Sequence, residues 1–446
     1  VSPPGNPEPL HTSIKWKELS DEFSPRLEAK GIDFSNAHDV IYPVLAKRMT
    51  EFLEALYDPK DGPVPIENLR GLYFSVAGRV HGDEKYHRGI SRPLNGIDAE
   101  VTTTNTGLNF SNHKLGRELF NALKAENHGF LLSTDKVFVI NDARAGQEGE
   151  KLHQGYAPSS RIFFHIGGTG EGSDFDVPGF NEIGHRTVVD HKEKKVLVFV
   201  GEEIKHLLNP DGTYKDLPEH QSYAENLLAG PWVAIRFVKS LVEKPSVMVA
   251  LAMRIAAKDP SLQGEDPEQS RVDQILGELY ELADLKYKDR TRWAINSNSF
   301  LLREVNELIF QPNHRANRRA LPCNFQVDPL EQASPEKALI LLAWARQKSY
   351  FKERGVITGE VYRALVAHGC APTKYILGGG LGEMFNRYSP EDREDAIDLI
   401  VDHGNLPPGV FDFSRLSPEA RECALAYTTA EAAEKAEKGQ RSQDVN

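Results

Sequence analysis

Three short stretches of this chain carry the residue types needed to move a phosphoryl group onto a hydroxyl. Asn141-Asp142-Ala143 follows the apolar run Val137-Phe138-Val139-Ile140. Gly167-Gly168-Thr169-Gly170-Glu171-Gly172 follows Ile162-Phe163-Phe164-His165-Ile166, and Glu182-Ile183-Gly184-His185 comes shortly after. A carboxylate just past a buried strand sits at the carboxyl edge of a sheet, where α/β proteins place ligand sites. There Asp142 can take the proton of an attacking hydroxyl, and Asn141 can position a neighbouring one. Glycines let backbone N–H groups converge on phosphate oxygens, and Thr169 adds a hydroxyl donor. Glu182 and His185, three apart, face the same way and offer acceptors to vicinal hydroxyls. Their order along the chain weighs more than any one of them.

Each stretch also has a plainer reading. Asn-Asp before Ala143-Arg144-Ala145 is a common helix start. Gly-Thr-Gly suits a tight turn between strands, and a Glu/His pair of this spacing is often structural. Glu171 is awkward for a phosphate loop: a carboxylate beside a polyphosphate repels it unless it points away or meets a metal. Asp174 and Asp176 add to that negative charge. Glu225, in Ser222-Tyr223-Ala224-Glu225, reads alone as a helix-dipole residue. Gly378-Gly379-Gly380-Leu381-Gly382 offers either a flat surface for an adenine ring or a strand-to-helix turn.

The elements that must position these residues alternate in type. Strands are expected at Leu72–Ala77, Val137–Ile140, Arg161–Ile166, Lys195–Val200 and Tyr375–Leu377. Helical spacing covers Val40–Tyr57, Leu115–Glu126, Val272–Leu285 and Val356–His368, with a long helical region over Leu227–Ala257 broken at Pro231 and Pro245. This pattern implies α/β layers. The 446 residues suffice for two or three domains. Residues about 259–334 are more polar and include the basic patch His314–Arg319; they read as an insertion or an oligomer contact. A solvated helical excursion is favoured there over a polyphosphate contact. The tail after Thr429 is rich in Ala, Glu and Lys.

Composition, at 40% hydrophobic and 26% charged, is that of a soluble globular protein, and no run reaches the length of a membrane span. A net charge of −12 argues against nucleic acid as the main partner, but not against a nucleotide held by a local loop. Cys323, Cys370 and Cys423 lie far apart, which fits a reducing compartment.

The motifs together resemble the ROK family (repressor, open reading frame, kinase) of the hexokinase/actin-like ATPase superfamily. Phe74-Ser75-Val76-Ala77-Gly78 resembles the family's Pro-Gly-Val segment, and Arg92-Pro93-Leu94-Asn95-Gly96 its Pro-Asn-Leu segment. Asn141-Asp142-Ala143 matches Asn-Asp-Ala, and Gly168–Gly172 the second phosphate loop. Glu182–His185 matches Glu-x-Gly-His; Glu225 followed by Ala229-Gly230-Pro231 resembles the Glu before Ser-Gly-Pro. Leu377–Gly380 matches the adenosine-side glycines. The resemblance implies a two-lobed α/β fold of the actin-like ATPase/ribonuclease H-like type with a helical insertion. Residues 1–140 would form the N-terminal lobe, 141–414 the C-terminal lobe, and 415–446 a C-terminal helix and tail. It implies an ATP- and Mg2+-dependent kinase acting on a hexose or N-acetylhexosamine, at the 6-hydroxyl. Asp142 would be the base, and Gly78, Asn95, Asn141, Glu182, His185 and Glu225 would bind sugar. Gly168, Thr169, Gly170, Gly172, Gly378, Gly379 and Gly380 would bind the nucleotide. A cytoplasmic setting and a homodimer are family expectations.

Two departures from the family pattern matter. Many members bind structural zinc through the His of Glu-x-Gly-His and a downstream cysteine cluster; no Cys lies between His185 and Glu225, so no zinc is expected. The family also opens with an Asp-x-Gly-Gly-Thr hairpin whose Asp holds Mg2+, and no such segment occurs here. The start at Val1-Ser2-Pro3-Pro4, without Met, makes that hairpin an expected upstream segment. The alternative is natural loss, leaving a catalytically inactive sugar-binding pseudokinase or sensor.

Overall fold

The computed structural model describes residues 27, 31, 38–55, 57–58, 62–63, 71–76, 78–86, 92–103, 110–126, 132–156, 160–168, 170–175, 189–190, 195–196, 228–258, 269–285, 300–311 and 333–416. Two compact units divide the chain. One comprises Val1–Phe164, Asp174–Pro178 and Leu416–Asn446; the other comprises His165–Ser173 and Gly179–Arg415.

The first unit runs through α1 (His38–Ala55), β1 (Leu72–Val76), β2 (Arg79–His81), β3 (Glu84–Lys85), β4 (Leu94–Gly96), β5 (Glu100–Thr103), β6 (Phe110–His113), α2 (Leu115–Glu126), β7 (Val137–Asn141) and α3 (Asp142–His153). One sheet has the order β1-β7-β4-β3, with β1 parallel to β7 and β4 antiparallel to it. Central β7 is apolar on both faces because both are covered, which is what a continuous Val/Phe/Val/Ile run predicts. Its side chains alternate. Val137 and Val139 join Ile41, Leu119, Phe120 and Leu123 in one core; Phe138 and Ile140 join Leu94 and Ala145 in another. A second sheet, β2-β5-β6, is antiparallel, with an irregular register between Val101 and Thr103.

Strand β8 (Ile162–Gly167) begins in the first unit and ends in the second. The second unit continues with β9 (Glu171–Asp174), α4 (Gly230–Leu241), α5 (Pro245–Ala256), α6 (Gln269–Ala283), α7 (Phe300–Ile309), α8 (Pro335–Ala367), β10 (Lys374–Gly378), α9 (Gly379–Asn386), α10 (Pro390–Gly404) and β11 (Phe411–Phe413). Its sheet order is β9-β8-β10-β11, with β10 and β11 parallel. Phe310, Tyr350, Phe351, Phe385, Phe411 and Phe413 pack ring on ring in its core, with Phe385 and Phe413 at 4.4 Å.

The long helical region is divided at both prolines as expected: Pro231 lies in the first turn of α4 and Pro245 opens α5, where a missing N–H costs nothing. Other expectations meet the structure differently. The helix expected over Val356–His368 is the last part of the 33-residue α8, capped by Ser334, whose hydroxyl accepts from the Lys337 N–H. Of the expected strand Lys195–Val200, only Lys195–Val196 is described, paired with Val189–Asp190. The described helices of the 259–334 segment do not form a solvated excursion. Leu279 and Leu282 of α6, and Leu302, Val305 and Ile309 of α7, are buried. The basic patch His314–Arg319 lies outside the described residues.

Candidate functional site

In the first unit the parallel pair β1 and β7 places Val76 opposite Asn141, so both carboxyl ends lie at one edge. Just past β1, Gly78 has φ 109°, a conformation that glycine adopts at no steric cost. The Asn141 amide nitrogen donates to the Gly78 carbonyl at 2.7 Å, and its oxygen accepts from the Arg144 N–H at 3.1 Å. Asn141 is therefore the N-cap of α3 and also ties the Gly78 turn to the end of β7. Asp142, half-buried, is the first residue of that helix, where the dipole favours a carboxylate; its Oδ1 accepts from the Ala143 N–H at 2.8 Å. Asn95, buried on β4, donates to the Gly82 carbonyl at 2.9 Å. The structure thus brings Gly78, Asn141 and Asp142 together and gives Asn141 and Asn95 turn-shaping contacts.

In the second unit three glycine-rich turns converge. The Gly168 N–H donates to the Gly170 carbonyl at 2.9 Å, closing the turn after β8. The Gly230 N–H, at the start of α4, donates to the Gly168 carbonyl at 2.8 Å. Gly379, at the start of α9, has φ +78°, and a Cβ there would lie 2.6 Å from the Gly167 carbonyl oxygen. Gly168 and Gly380 have open space where a Cβ would stand, so the backbone is bare at these two positions, whereas Gly230 and Gly379 are buried. Gly172 lies in β9, and Gly378 is the N-cap of α9. Thr169, Glu182, His185 and Glu225 lie outside the described residues.

Gly379→Ala is expected to destabilise the protein by about 1–3 kcal/mol, because it adds left-handed strain to a backbone clash. Gly380→Ala, with nothing within 4 Å, is expected to be neutral or mildly stabilising. Urea unfolding of the two variants side by side checks the contrast.

Of the awkward acids of the loop, Glu171 and Asp174 meet arginines whose role was not read from the sequence, and Asp176 lies outside the described residues. Glu171 turns into the core, where both its oxygens accept from Arg354, at 2.7 and 2.8 Å. Neither side chain is exposed. His165 Nε2 lies 2.5 Å from the Glu171 carboxylate, and His165 Nδ1 lies 2.7 Å from the Tyr375 hydroxyl. Burial alone would push the Glu171 carboxyl up, but Arg354 and His165 hold it below the usual range. Burial, reinforced by Arg354, pushes the His165 imidazole below its ordinary value against the opposing pull of Glu171. In the first unit Asp174 pairs with Arg92, which also donates to Gln147 Oε1 at 2.8 Å and to the Phe175 carbonyl at 3.1 Å. There burial wins, and the Asp174 carboxyl is raised despite Arg92. The signal that could have found Arg354 is Glu353-Arg354 inside a helix at core-facing positions, since buried charges come paired.

Among the described residues, no group of three His, Cys, Asp or Glu is placed to hold a metal ion. None of the described helices is long and apolar enough to cross a membrane.

No family model matches the sequence, and no curated protein matches it. Solved structures with a similar arrangement include a ROK family transcriptional regulator homologous to E. coli Mlc, at 14% identity over 89% of this chain and 71% of that one, with a TM-score of 0.42. A ROK family glucokinase from Streptomyces griseus, in complex with glucose and AMPPNP, is 16% identical over 78% of this chain and 82% of that one, with a TM-score of 0.38. A hexokinase from Schistosoma mansoni complexed with glucose is 12% identical over 89% and 77%, with a TM-score of 0.37. These neighbours are ROK proteins and sugar kinases, but likenesses this remote leave the functional case to the residues themselves.

Proposed function

We propose that this protein is an ATP-dependent sugar kinase that phosphorylates a hexose or N-acetylhexosamine, at the 6-hydroxyl. The observation that carries the reading is the glycine junction of the second unit: Gly168 and Gly380 leave open space where a side chain would stand, Gly230 bonds to Gly168, Gly379 packs on Gly167, and Glu171 is turned away and matched by Arg354. A junction of this kind suits a polyphosphate, because backbone without side chains allows close approach and the Glu171 carboxylate beside it is neutralised. Asp142 serves as the base, held at a helix start on a carboxyl edge. The sugar would be held by Glu182, His185 and Glu225, roles that come from the motif resemblance. Asn141 and Asn95 contribute by fixing the Gly78 and Gly82 turns. Mg2+ is expected to accompany the nucleotide, and no described residue is assigned to it. A cytoplasmic homodimer belongs to the same proposal.

A coupled ADP-release assay tests it, run on the full-length gene product over a panel of hexoses and N-acetylhexosamines. The expected result is sugar-dependent ADP release, with the product phosphorylated at the primary hydroxyl by phosphorus NMR. Sugar binding without ADP release would replace the kinase by a sugar sensor. Binding of neither sugar nor ATP would remove both readings.

A further inference from the structure

We propose that the adjacent pair Glu353-Arg354 of α8 is a positioning clamp that holds both flanks of the Gly168 turn. Successive helix residues project about 100° apart, so two neighbours on one helix reach two different elements. Arg354 reaches the β8–β9 hairpin. It donates to both oxygens of Glu171, the residue that follows Gly170. Its Nη2 also lies 3.3 Å from where a Gly167 Cβ would stand. Glu353 reaches α4. Its carboxylate accepts from Arg236 Nη2 at 3.1 Å, from Arg346 at 3.0 and 2.9 Å, and from the Ser349 hydroxyl at 3.0 Å. Arg236 belongs to the helix whose first N–H, that of Gly230, is bonded to the Gly168 carbonyl. One helix therefore fixes the hairpin on one side of Gly168 and α4 on the other, through ion pairs in which neither Glu353 nor Arg354 is more than 1% exposed.

Stability alone does not call for this arrangement. Replacing a buried ion pair by apolar residues of similar volume is often neutral or stabilising. What an apolar pair lacks is direction. A bidentate guanidinium–carboxylate contact fixes the angle of the hairpin as well as its separation. Glu171 must also be kept inward if the turn is to face a polyphosphate, and Arg354 is its partner. In this respect the inference rests on the nucleotide reading of the glycine junction, whereas the mechanical claim does not.

The test replaces the pair as a unit, Glu171→Gln with Arg354→Met, so that no buried charge is left alone. Circular dichroism first establishes that the variant is folded. Hydrogen exchange of the peptide spanning Ile166–Gly172 then reads the mechanical claim. The expected result is faster exchange there by about tenfold or more, with α10 unchanged. Because a misplacement of roughly 1 Å can cost about a hundredfold, the KM for ATP is expected to rise about tenfold or more while the sugar KM stays within about twofold. A purely structural loss would move both constants or neither. Unchanged exchange at Ile166–Gly172 in the folded variant overturns the clamp. If the wild-type protein neither binds nor turns over ATP, the nucleotide reading falls, and the exchange result alone still decides the clamp.

Discussion

Asp142→Asn is expected to lower kcat for sugar phosphorylation by about a hundredfold to ten-thousandfold, the usual contribution of a positioned general base. The sugar dissociation constant is expected to stay within a few-fold. The substitution is conservative where structure is concerned. Asn141 remains the cap of α3, and an amide oxygen at position 142 can still accept from the Ala143 N–H, as Asp142 Oδ1 does at 2.8 Å. The helix start loses only the favourable meeting of a carboxylate with the dipole, worth about 0.3–1 kcal/mol. A large drop in turnover without loss of fold or of sugar affinity therefore isolates proton removal. Turnover within about threefold of wild type would exclude Asp142 as the base, since even a modest base contributes a hundredfold. The hydroxyl would then have to lose its proton elsewhere.

What could be read from sequence, and what could not, follows from the physics of each signal. Strand β7 was legible because Val137–Ile140 is apolar on both faces and the structure covers both. The glycine turns were legible because glycine is used where backbone must approach backbone, as Gly379 does against Gly167. The N-cap and base readings of Asn141-Asp142 are compatible, and the cap is in place: the Asn141 oxygen caps α3 while its amide nitrogen ties down Gly78. The front part of α8 was not legible. Its buried side includes Arg346, Gln347, Glu353 and Arg354, so the apolar periodicity that marks a helix is interrupted by the polar groups that do its work. The same residues hide the partner of Glu171, 183 positions away in the chain. Sequence can show that a carboxylate beside a phosphate loop needs an answer, but not which distant arginine supplies it. Residues 259–334 misled for a related reason: the segment is polar on average, yet α6 and α7 each carry one apolar face into the unit.

Arg354→Met alone is expected to destabilise the protein by about 3–5 kcal/mol, because it leaves a buried carboxylate without its cation. Arg354 donates to Glu171 and also to the Tyr350 hydroxyl at 2.7 Å, so a second buried polar group loses its donor. His165 can offset part of the loss by taking a proton beside Glu171, from which it lies 2.5 Å. The companion variant, Glu171→Gln with Arg354→Met, removes both charges, and most of the stability is expected to return. The pH dependence has a definite sign. Glu171 is held below its ordinary value in the folded protein, so its contribution is fully present above the usual carboxylate range. That contribution is lost as the pH falls through the lowered value. The paired variant lacks it, and its stability is therefore expected to decline less steeply on acidification than that of wild type. Denaturant unfolding at neutral and acid pH measures all three proteins. If the single variant were as stable as the paired one, the Glu171 charge would be neutralised in the folded state without Arg354. His165 would then be the partner that matters.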